Sequence, residues 1–530
     1  MRILTATLLV VLALAGCGGG GGGGGGGGTQ LALAWQSGVF KPASSFSDKC
    51  AAPRMGTDPV TNVAYPDRAG TLLDENNWLR SWNNDLYLWY SEVTDLNPEN
   101  YTTTKSYFDL LKTAAVTPSG APKDKFHFLY DTVKWEKLAL TGSQFGYGAQ
   151  WIIFSGRPPR SLVVIYNEPN SPAATANFGR GASLLSVDGV DFVNASDQAS
   201  VDIINAGLFP VAANVTHSFL VQYPGGSQQA ITMNSADVVT AAVQNTKTFS
   251  AVNGPVGYML FNDHLATAEA ALFNAFKTLK AANVSDLIID IRYNGGGYLD
   301  IASEVAYMVA GPAATAGKTF ELTQFNSKHS TIDPITNKNI VPVPFQSTSL
   351  GFAAGLAANQ QLPTLSLPRV LLLTGPDTCS ASEAIINGLS GAGVEVIQIG
   401  STTCGKPYGF YPADNCGTTY FSIQFRGLNE LNFGDYADGF SPQNAPVVTG
   451  GIPVGVPLHG CSVADDFSHQ LGDPLEARLA VALAYQGGNT TCPVPATGLV
   501  KGLRVQLRPG NEGTMPASPL RALMLPRPLH

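Results

Sequence analysis

The chain has 530 residues, of which 44% are hydrophobic and 9% aromatic, so it can bury several cores and is not a disordered protein. At about 150 residues per domain, this length predicts roughly three to four domains. Only 13% of the residues are charged, and the net charge is −8. A charge-poor, mildly acidic chain without a basic stripe argues against nucleic acid as its main partner.

The first residues indicate export. Arg2 precedes an apolar run over residues 3–15 that is too short to span a bilayer. The run ends in Leu-Ala-Gly-Cys at residues 14–17, which resembles a bacterial lipobox and predicts a lipid-modified Cys17 that anchors the chain to a membrane. A plain secretory peptide cut near the same place is the alternative. Gly18 after the cysteine, rather than Asp, favours the outer membrane facing the periplasm, by resemblance to lipoprotein sorting signals.

A run of glycines over residues 18–28 follows the lipobox. It satisfies G-x-G-x-x-G, but no predicted strand precedes it and no helix follows, so we reject a nucleotide site. The run is instead interpreted as a flexible tether. The sequence contains no C-x-x-C or H-E-x-x-H motif, so it predicts neither a metal site nor a cofactor.

Six cysteines remain besides Cys17, and an even number in an exported chain favours disulfides. Six cysteines allow many connectivities, and sequence alone does not select one of them. The pairing that we favour as a working guess is Cys404–Cys416, Cys461–Cys492 and Cys50–Cys379.

A helical domain is predicted near the N-terminus. Residues 76–90 carry aromatic and aliphatic side chains at three- and four-residue spacings, which predicts an amphipathic helix, and residues 105–115 predict another. The apolar stripe of the first helix is expected to be core rather than a ligand site; it comprises Trp78, Leu79, Trp82, Leu86 and Trp89.

A β-rich domain follows, beginning with a Gly-containing loop that can present consecutive amides to a carboxylate. The candidate substrate-binding residues in this loop are Phe145, Gly146, Tyr147 and Gly148. Downstream, Ser-Pro-Ala at 171–173 opens a helix and Val-Asp-Gly at 187–189 ends a strand in a tight turn. This order resembles a PDZ domain, and a generic small β-domain is the alternative.

Beyond about residue 250 the pattern changes to alternating strands and helices, which predicts a mostly parallel α/β sheet. The strand over residues 287–291 is almost continuously apolar, as expected for a strand covered on both faces. The further predicted elements are helices over 263–282, 299–309 and 382–389 and strands over 370–373 and 394–399.

Ser380 lies in a polar loop between the strand 370–373 and the helix 382–389. At this position, unpaired amides and the positive end of the helix dipole favour an alkoxide or a tetrahedral oxyanion. A purely structural role is the alternative, because Ser380-x-x-Glu383 has the pattern of a capping box.

Lys406 follows the next predicted strand and is an isolated cation among Gly, Pro and aromatic residues. Burial there is expected to lower its pKa and leave a neutral amine that can take a proton from a hydroxyl. An ordinary lysine with its stem packed along the surface is the alternative. The loops of Ser380 and Lys406 both follow strand ends at the edge where open α/β sheets build sites.

A third loop contains glycines at 295–297. Glycines let a backbone approach a substrate closely, so the amides of Gly296 and Ala381 are the candidate oxyanion donors. A plain turn between a strand and a helix is the alternative.

Residues 287–297, the Ser-Ala-Ser-Glu segment at 380–383 and Gly405-Lys406 together resemble the C-terminal processing (tail-specific) serine peptidases. The resemblance covers roughly residues 75–490 and places the PDZ-like region upstream, in the order that this family uses. It implies a ClpP/crotonase-like α/β catalytic domain in which Ser380 is the nucleophile and Lys406 the general base and later the general acid. It also implies a PDZ domain that captures the C-termini of polypeptide substrates and gates access to the Ser–Lys dyad.

One departure from the family pattern bears on activity. The family commonly has Gln four residues after the lysine, and this chain has Phe410 there. Either another polar group, such as Gln424, orients Lys406, or activity is reduced or lost. Phe410 thus favours a second hypothesis, a catalytically inactive peptide-binding lipoprotein with a peptidase fold and a PDZ groove. A Ser–His hydrolase using His264 or His459 is the alternative within catalysis, but the chain has no G-x-S-x-G motif.

The predicted fold class is therefore an α/β and β multidomain protein. Its predicted units are a lipoprotein signal peptide (1–16), a lipidated cysteine with a poly-Gly tether (17–44), an N-terminal helical domain (45–137), a PDZ-like domain (138–240), a Ser–Lys peptidase domain (241–495) and a Pro-rich C-terminal tail (496–530).

Overall fold

The computed structural model describes residues 35–352, 355–446 and 455–495, together with the backbone of a strand at 523–525. The predicted signal peptide, Cys17 and the glycine run lie outside the described residues. Within the described ranges, every helix is too short or too polar to span a bilayer.

The described part of the chain contains nine α-helices and 27 strands. The helices are α1 (Leu72–Leu86), α2 (Thr104–Phe108), α3 (Thr132–Thr141), α4 (Pro172–Thr175), α5 (Gln198–Leu208), α6 (Ala268–Ala281), α7 (Leu299–Thr315), α8 (Ala381–Gly391) and α9 (Ala477–Gln486). The strands are β1 (Lys49–Cys50), β2 (Arg68–Ala69), β3 (Phe128–Asp131), β4 (Ser143–Gly146), β5 (Ala149–Ser155), β6 (Ser161–Asn167), β7 (Ser183–Val187), β8 (Val190–Asp191), β9 (Thr216–Gln222), β10 (Gln228–Asn234), β11 (Ala236–Val239), β12 (Val243–Phe249), β13 (Val256–Phe261), β14 (Asp286–Asp290), β15 (Gly296–Tyr298), β16 (Thr319–Phe325), β17 (Val343–Pro344), β18 (Arg369–Thr374), β19 (Glu395–Gly400), β20 (Tyr408–Gly409), β21 (Ala413–Asn415), β22 (Thr418–Phe421), β23 (Phe425–Leu428), β24 (Phe440–Pro442), β25 (Val456–Leu458), β26 (Gly460–Ser462) and β27 (Leu523–Leu525).

A six-stranded sheet forms the centre of the α/β domain. Its strand order is β12-β13-β14-β18-β19-β26, and every neighbouring pair except β12–β13 is parallel. Alternate residues of each strand face opposite sides. In β14, Ile289 belongs to the core that includes α6, α7 and α8, whereas Ile288 belongs to the core that includes α9. Both faces are buried, which is why the strand is apolar throughout. The predicted parallel α/β sheet is confirmed.

The carboxyl ends of β14, β18 and β19 lie side by side at one edge of this sheet. The loops that follow these strands carry the glycines at 295–297, Ser380 and Lys406, respectively. The sheet topology therefore brings the three predicted site loops together.

The β-rich region has a hydrophobic core of its own. Its sheet has the strand order β10-β9-β7-β6-β5, with β8 paired to β7. The same region contains the helices α4 and α5. Helix α4 begins as predicted, with Ser171 accepting a hydrogen bond from the Ala174 amide and Pro172 in the first turn. Asp188 and Gly189, which both have positive φ, form the predicted turn after β7. The element order is that of the predicted PDZ-like domain.

The N-terminal region packs around the predicted aromatic stripe. Trp78 and Trp82 stack with ring centroids 5.3 Å apart, and both are buried. Helix α1 begins earlier than predicted because Thr71 and Asp74 form a capping box at its start. The second predicted helix is much shorter than expected, since α2 spans only five residues.

This region is joined to the α/β domain rather than separate from it. Strand β3 pairs with β22, and Tyr420 of β22 packs against Trp78. Helix α3 contributes Trp135 and Leu138 to the core of the α/β domain. The N-terminal segment can therefore supply side chains to a site in that domain.

Three disulfides connect the six described cysteines. Cys461–Cys492 is confirmed, whereas the other two guessed pairs are wrong, because the structure links Cys50 to Cys416 and Cys379 to Cys404. The guess missed contacts that only the fold creates. Cys379 and Cys404 follow the neighbouring parallel strands β18 and β19, and Cys50 reaches Cys416 where the N-terminal region meets the α/β domain.

A buried charge network connects the PDZ-like domain, the sheet and α9. Arg292, just after β14, donates to Asp290 and to both carboxylate oxygens of Glu476. It also donates to Asp465, which accepts a further hydrogen bond from Arg180 of the PDZ-like domain. Burial alone would raise the pKa of Asp465, but the neighbouring guanidinium groups hold it well below its usual range.

Replacing Arg292 by Met should lower the free energy of unfolding by about 3–5 kcal/mol, because it leaves Asp290 and Glu476 without their buried guanidinium and removes one that binds Asp465. Urea unfolding followed by circular dichroism measures this loss. Lys105→Met removes only the exposed pair with Asp109 and should cost less than about 1 kcal/mol. Equal losses in the two variants would contradict the role assigned to the network.

Glu168, at the end of the PDZ-like strand β6, is buried and accepts hydrogen bonds from the Ala241 amide and the Gln150 side chain. Burial raises its pKa from 4.5 to about 7, against the effect of these donors. The folded protein therefore binds this proton more tightly than the unfolded chain does.

The contribution of Glu168 to stability should consequently fall as pH rises from about 4.5 to about 7. We expect the stability of wild type relative to Glu168→Gln to decrease by roughly 2 kcal/mol between pH 5 and pH 8, in urea unfolding at the two pH values. Glu99→Gln, at an exposed position, is the control and should show no such change. A difference independent of pH for Glu168→Gln would show that folding leaves the pKa of this carboxyl unchanged, which would contradict the prediction.

Candidate active site

Ser380 stands at the junction of the loop after β18 with α8, in a strained backbone conformation. Its φ is 62° and its ψ −115°, a region that residues with side chains rarely adopt. Its side chain is buried, and its Oγ has no hydrogen-bond partner among the described residues. The Ser380 amide donates to Glu383 as in the predicted capping box, whereas the Ser380 hydroxyl itself makes no hydrogen bond to the described residues. The hydroxyl is thus available for chemistry.

The buried carboxylate of Glu383 joins the two loops that carry Ser380 and Lys406. Its Oε2 accepts the amides of Ser380, at 3.0 Å, and of Lys406, at 2.8 Å. Its Oε1 accepts the Gly405 amide, at 2.8 Å, and the Thr403 hydroxyl. Burial raises the pKa of Glu383, and these four donors oppose the shift. Because two amides converge on one oxygen, the main chains of Ser380 and Lys406 lie side by side.

A disulfide connects the same two loops. Cys379 immediately precedes Ser380, Cys404 lies two residues before Lys406, and the Cα atoms of the two cysteines are 5.1 Å apart. The Cys404 amide also donates to the Thr378 carbonyl at 3.0 Å. The loops are therefore fixed to each other by a covalent bond as well as by a carboxylate.

The side chain of Lys406 is fully buried between aromatic rings. Its Nζ lies 4.0 Å from the ring centroid of Phe410 and 5.2 Å from that of Phe126. Phe126 comes from the N-terminal region, and its neighbour Lys125 donates to the Cys404 carbonyl at 2.7 Å. The surface-lysine alternative is therefore wrong. Lys406 lies in an apolar, aromatic environment, as predicted.

Gln424, the residue considered for orienting Lys406, is bound to the main chain of Tyr411. Its Oε1 accepts from the Tyr411 amide and its Nε2 donates to the Tyr411 carbonyl, both at 3.1 Å. Gln424 thus fixes the chain directly after Phe410, and its effect on Lys406 stays a prediction.

The glycine loop forms β15, whose main chain is bonded on one side to His264. The Gly296 carbonyl accepts from the His264 amide, at 3.1 Å, and the Tyr298 amide donates to the His264 carbonyl, at 2.9 Å. The Gly296 amide donates to Asn294 Oδ1 at 3.0 Å, so it is already engaged, which argues against it as an oxyanion donor. Gly297 is the better candidate, since alternation along a strand turns its N–H and C=O away from His264.

Ala381, the other predicted oxyanion donor, is the first residue of α8. The amide of a first-turn residue has no partner within its own helix. Its position beside Ser380 keeps it as a candidate.

Neither histidine of the alternative hypothesis is bonded to Ser380. His264 Nδ1 lies 3.0 Å from Asn294 Oδ1, and burial lowers the pKa of His264 to about 3. His459 pairs with Glu395 at the start of β19, at the opposite edge of the sheet from Ser380. The geometry therefore does not favour a Ser–His pair.

The predicted carboxylate loop comprises Phe145, Gly146, Tyr147 and Gly148. Its first two residues belong to β4, which pairs with β11. The Tyr147 hydroxyl donates to the Gly207 carbonyl of α5 at 3.0 Å. Gly148 has a φ of 78°, and a Cβ there would lie 2.3 Å from that of Ser171, so only glycine fits. The loop leads into β5, the last strand of its sheet among the described strands, next to the end of α5.

Residues 255–409, which include the three site loops, match the family model of Peptidase family S41. Over this part of its length the chain is similar to that peptidase family. A relative described as "C-terminal processing peptidase, chloroplastic" from Tetradesmus obliquus is 26% identical over 184 residues, which cover 33% of this chain and 38% of that protein. The match thus spans well under half of the relative. The predicted family is confirmed.

A solved structure supports the fold of the family member. The crystal structure of a protein assigned as an S41 protease from Bacteroides fragilis NCTC 9343 is 20% identical and covers 80% of this chain and 98% of its own, with a TM-score of 0.57. At this identity, the similarity shows a common fold.

Sequence reasoning missed two features of the site. Glu383 was considered only as part of a capping box, although its spacing from Ser380 was the available signal. The cysteines at 379 and 404 flank Ser380 and Lys406, which could have suggested that they pair.

Replacing Glu383 by Gln should reduce the free energy of unfolding by about 2–4 kcal/mol, because an amide NH₂ would face N–H donors that need an acceptor. Urea unfolding of the full chain measures the effect. Glu321→Gln is the matched control: Glu321 is also buried, its Oε1 has no hydrogen-bond partner among the described residues, and burial raises its pKa to about 8. The control substitution should leave the free energy of unfolding unchanged or raise it. An equal loss in both variants would contradict the role of Glu383 in holding the Ser380 and Lys406 loops together.

Proposed function

We propose that this S41 family member is a serine-type endopeptidase that cleaves exported proteins or peptides recognised by their C-termini. In this proposal Ser380 is the nucleophile, and Lys406 is the general base and then the general acid. The observation that supports it best is the convergence of the Ser380 and Lys406 main chains on the Glu383 carboxylate. Without that convergence, a serine and a lysine on separate loops would have no common geometry.

The reaction follows from the chemistry of these groups. Lys406 Nζ takes the proton of Ser380 Oγ, and the oxygen attacks the scissile carbonyl carbon. The oxyanion that forms accepts hydrogen bonds from the amides of Ala381 and Gly297. Lys406 then returns the proton to the leaving amine as the C–N bond breaks. A water, deprotonated by Lys406, hydrolyses the resulting acyl-enzyme and regenerates Ser380.

Burial and the neighbouring aromatic rings have opposite effects on the protonation of Lys406. Removal of an amine from water disfavours its charged form and so favours a base. The faces of Phe410 and Phe126 attract an ammonium and so oppose that effect. The proposed function requires that burial outweighs the aromatic attraction.

Substrate capture is assigned to the PDZ-like domain. The loop 145–148 leads into β5, and an extended peptide can add to such an edge with its carboxylate near the loop amides. Arg180 of this domain and Arg292, which follows β14, share Asp465, so the domain is physically coupled to the catalytic sheet. Lipid anchoring at Cys17, with the domain facing the periplasm from the outer membrane, is part of the proposal.

One observation favours a second candidate, a peptide-binding lipoprotein without turnover. Phe410 occupies the position where a polar group is common in the family, and its ring lies over the Lys406 amine. Such a ring stabilises the ammonium, which cannot act as a base. Such a protein would bind peptides in the PDZ groove but would not hydrolyse them.

The two candidates are distinguished with protein that lacks residues 1–28. It should hydrolyse an unfolded protein or a peptide with an apolar C-terminus, and Ser380→Ala and Lys406→Ala should each lower kcat/KM by at least about 10³-fold. Lys406→Arg should be equally inactive, because a guanidinium does not deprotonate. The control is Ser390→Ala, near the far end of α8, the helix that begins directly after Ser380. Activity that survives the Ser380 and Lys406 substitutions would reject the dyad.

The same preparation tests the base through its pH dependence. The value of kcat/KM should rise with pH between 6 and 9 as the amine of Lys406 loses its proton. A flat profile would count against Lys406 as the base. Binding of a labelled peptide by wild type without turnover would favour the second candidate.

A further inference from the structure

The C-terminal segment of the chain returns to the candidate active site. Strand β27 runs parallel to β15, with Met524 opposite Gly297. The backbone of β27 also lies next to α8, which begins beside Ser380, and next to β20, which follows the Lys406 loop. The strand thus lies next to β15 and next to the elements that follow the Ser380 and Lys406 loops.

The main chain of β15 explains why a strand can add there. One side of β15 is bonded to His264 through the Gly296 carbonyl and the Tyr298 amide. Alternation turns the N–H and C=O of Gly297 to the other side, the side of β27. Among the described strands, β27 is the only partner of β15 in a two-stranded sheet. The edge therefore presents a donor and an acceptor to any extended chain that enters the site.

The sequence of the tail suits this position. The segment Leu-Arg-Ala-Leu-Met-Leu at 520–525 is bounded by Pro519 and Pro526 in an otherwise Pro-rich tail. Proline has no N–H for a ladder, so Pro526 sets an end to strand pairing directly after β27.

We propose that the segment at 523–525 is a cis ligand of the substrate groove, which adds as a parallel strand to β15 and blocks the entry of polypeptide substrates. This inference rests on the proposed function, since it takes the edge of β15 as the place where an extended substrate lies beside Ser380. It further assigns the substrate class of this edge: an extended, apolar peptide segment held through its main chain. A ligand tethered to its own site acts at high effective concentration, so the free site is a minor population.

Docking is tested without catalysis, by hydrogen exchange of the full chain carrying Ser380→Ala. Leu525→Pro removes the main-chain N–H at the end of β27, and Ala517→Pro, in the same tail but outside the strand, is the matched control. Leu525→Pro should speed the exchange of amides at residues 295–299 by at least about fivefold relative to the control. A peptide of residues 518–530 added in trans should restore protection, and the same peptide N-methylated at Leu525 should not. Equal exchange in the two variants would overturn the proposal.

Inhibition is tested in the full chain with Ser380 intact. Leu525→Pro should raise kcat/KM by at least about fivefold over Ala517→Pro, because it frees the groove. Hydrolysis at equal rates in both variants would overturn the inhibition and leave the peptidase function standing. A response in hydrogen exchange without hydrolysis by any variant would support tail docking and overturn the proposed function.

Discussion

The candidate site depends on one buried carboxylate shared by two loops. Glu383 accepts the amides of Ser380, Gly405 and Lys406 together with the Thr403 hydroxyl, far from water. A buried carboxylate is costly unless donors surround it, and here three of the four donors are main-chain amides of the two loops that carry Ser380 and Lys406. The hydrogen bonds that stabilise the buried carboxylate are thus the same ones that fix the positions of the two loops. The sheet allows this because β18 and β19 end side by side.

Much of this arrangement was predictable from local patterns. Continuous apolar strands such as β14 indicate a sheet covered on both faces, and alternating strands and helices indicate parallel pairing, which places successive loops at one edge. Ser380 and Lys406 were found on that basis. What could not be predicted depends on contacts between distant parts of the chain: the Cys379–Cys404 bridge, the approach of Phe126 to Lys406, and the pairing of β27, in the Pro-rich tail, with β15. The choice of Gly297 over Gly296 required knowing which main-chain groups His264 already binds.

The lysine pocket shows how two distant regions of the chain combine to make one environment. Phe410 comes from the Lys406 loop, Phe126 from the N-terminal segment, and Lys125 attaches that segment to the Cys404 carbonyl. The N-terminal region is therefore a wall of the site rather than an appended domain. Its pairing through β3 and β22 and its disulfide from Cys50 to Cys416 explain why this wall keeps its place.

The bridge between Cys379 and Cys404 also relates the site to where the chain is made. Disulfides form in oxidising compartments, whereas the cytosol keeps cysteine thiols reduced. In an exported chain, the disulfide between the two loops would therefore form only after the polypeptide has been translocated out of the cytosol. Under the proposed function, the covalent link between the loops of Ser380 and Lys406 would then form only in the compartment where the exported protein acts.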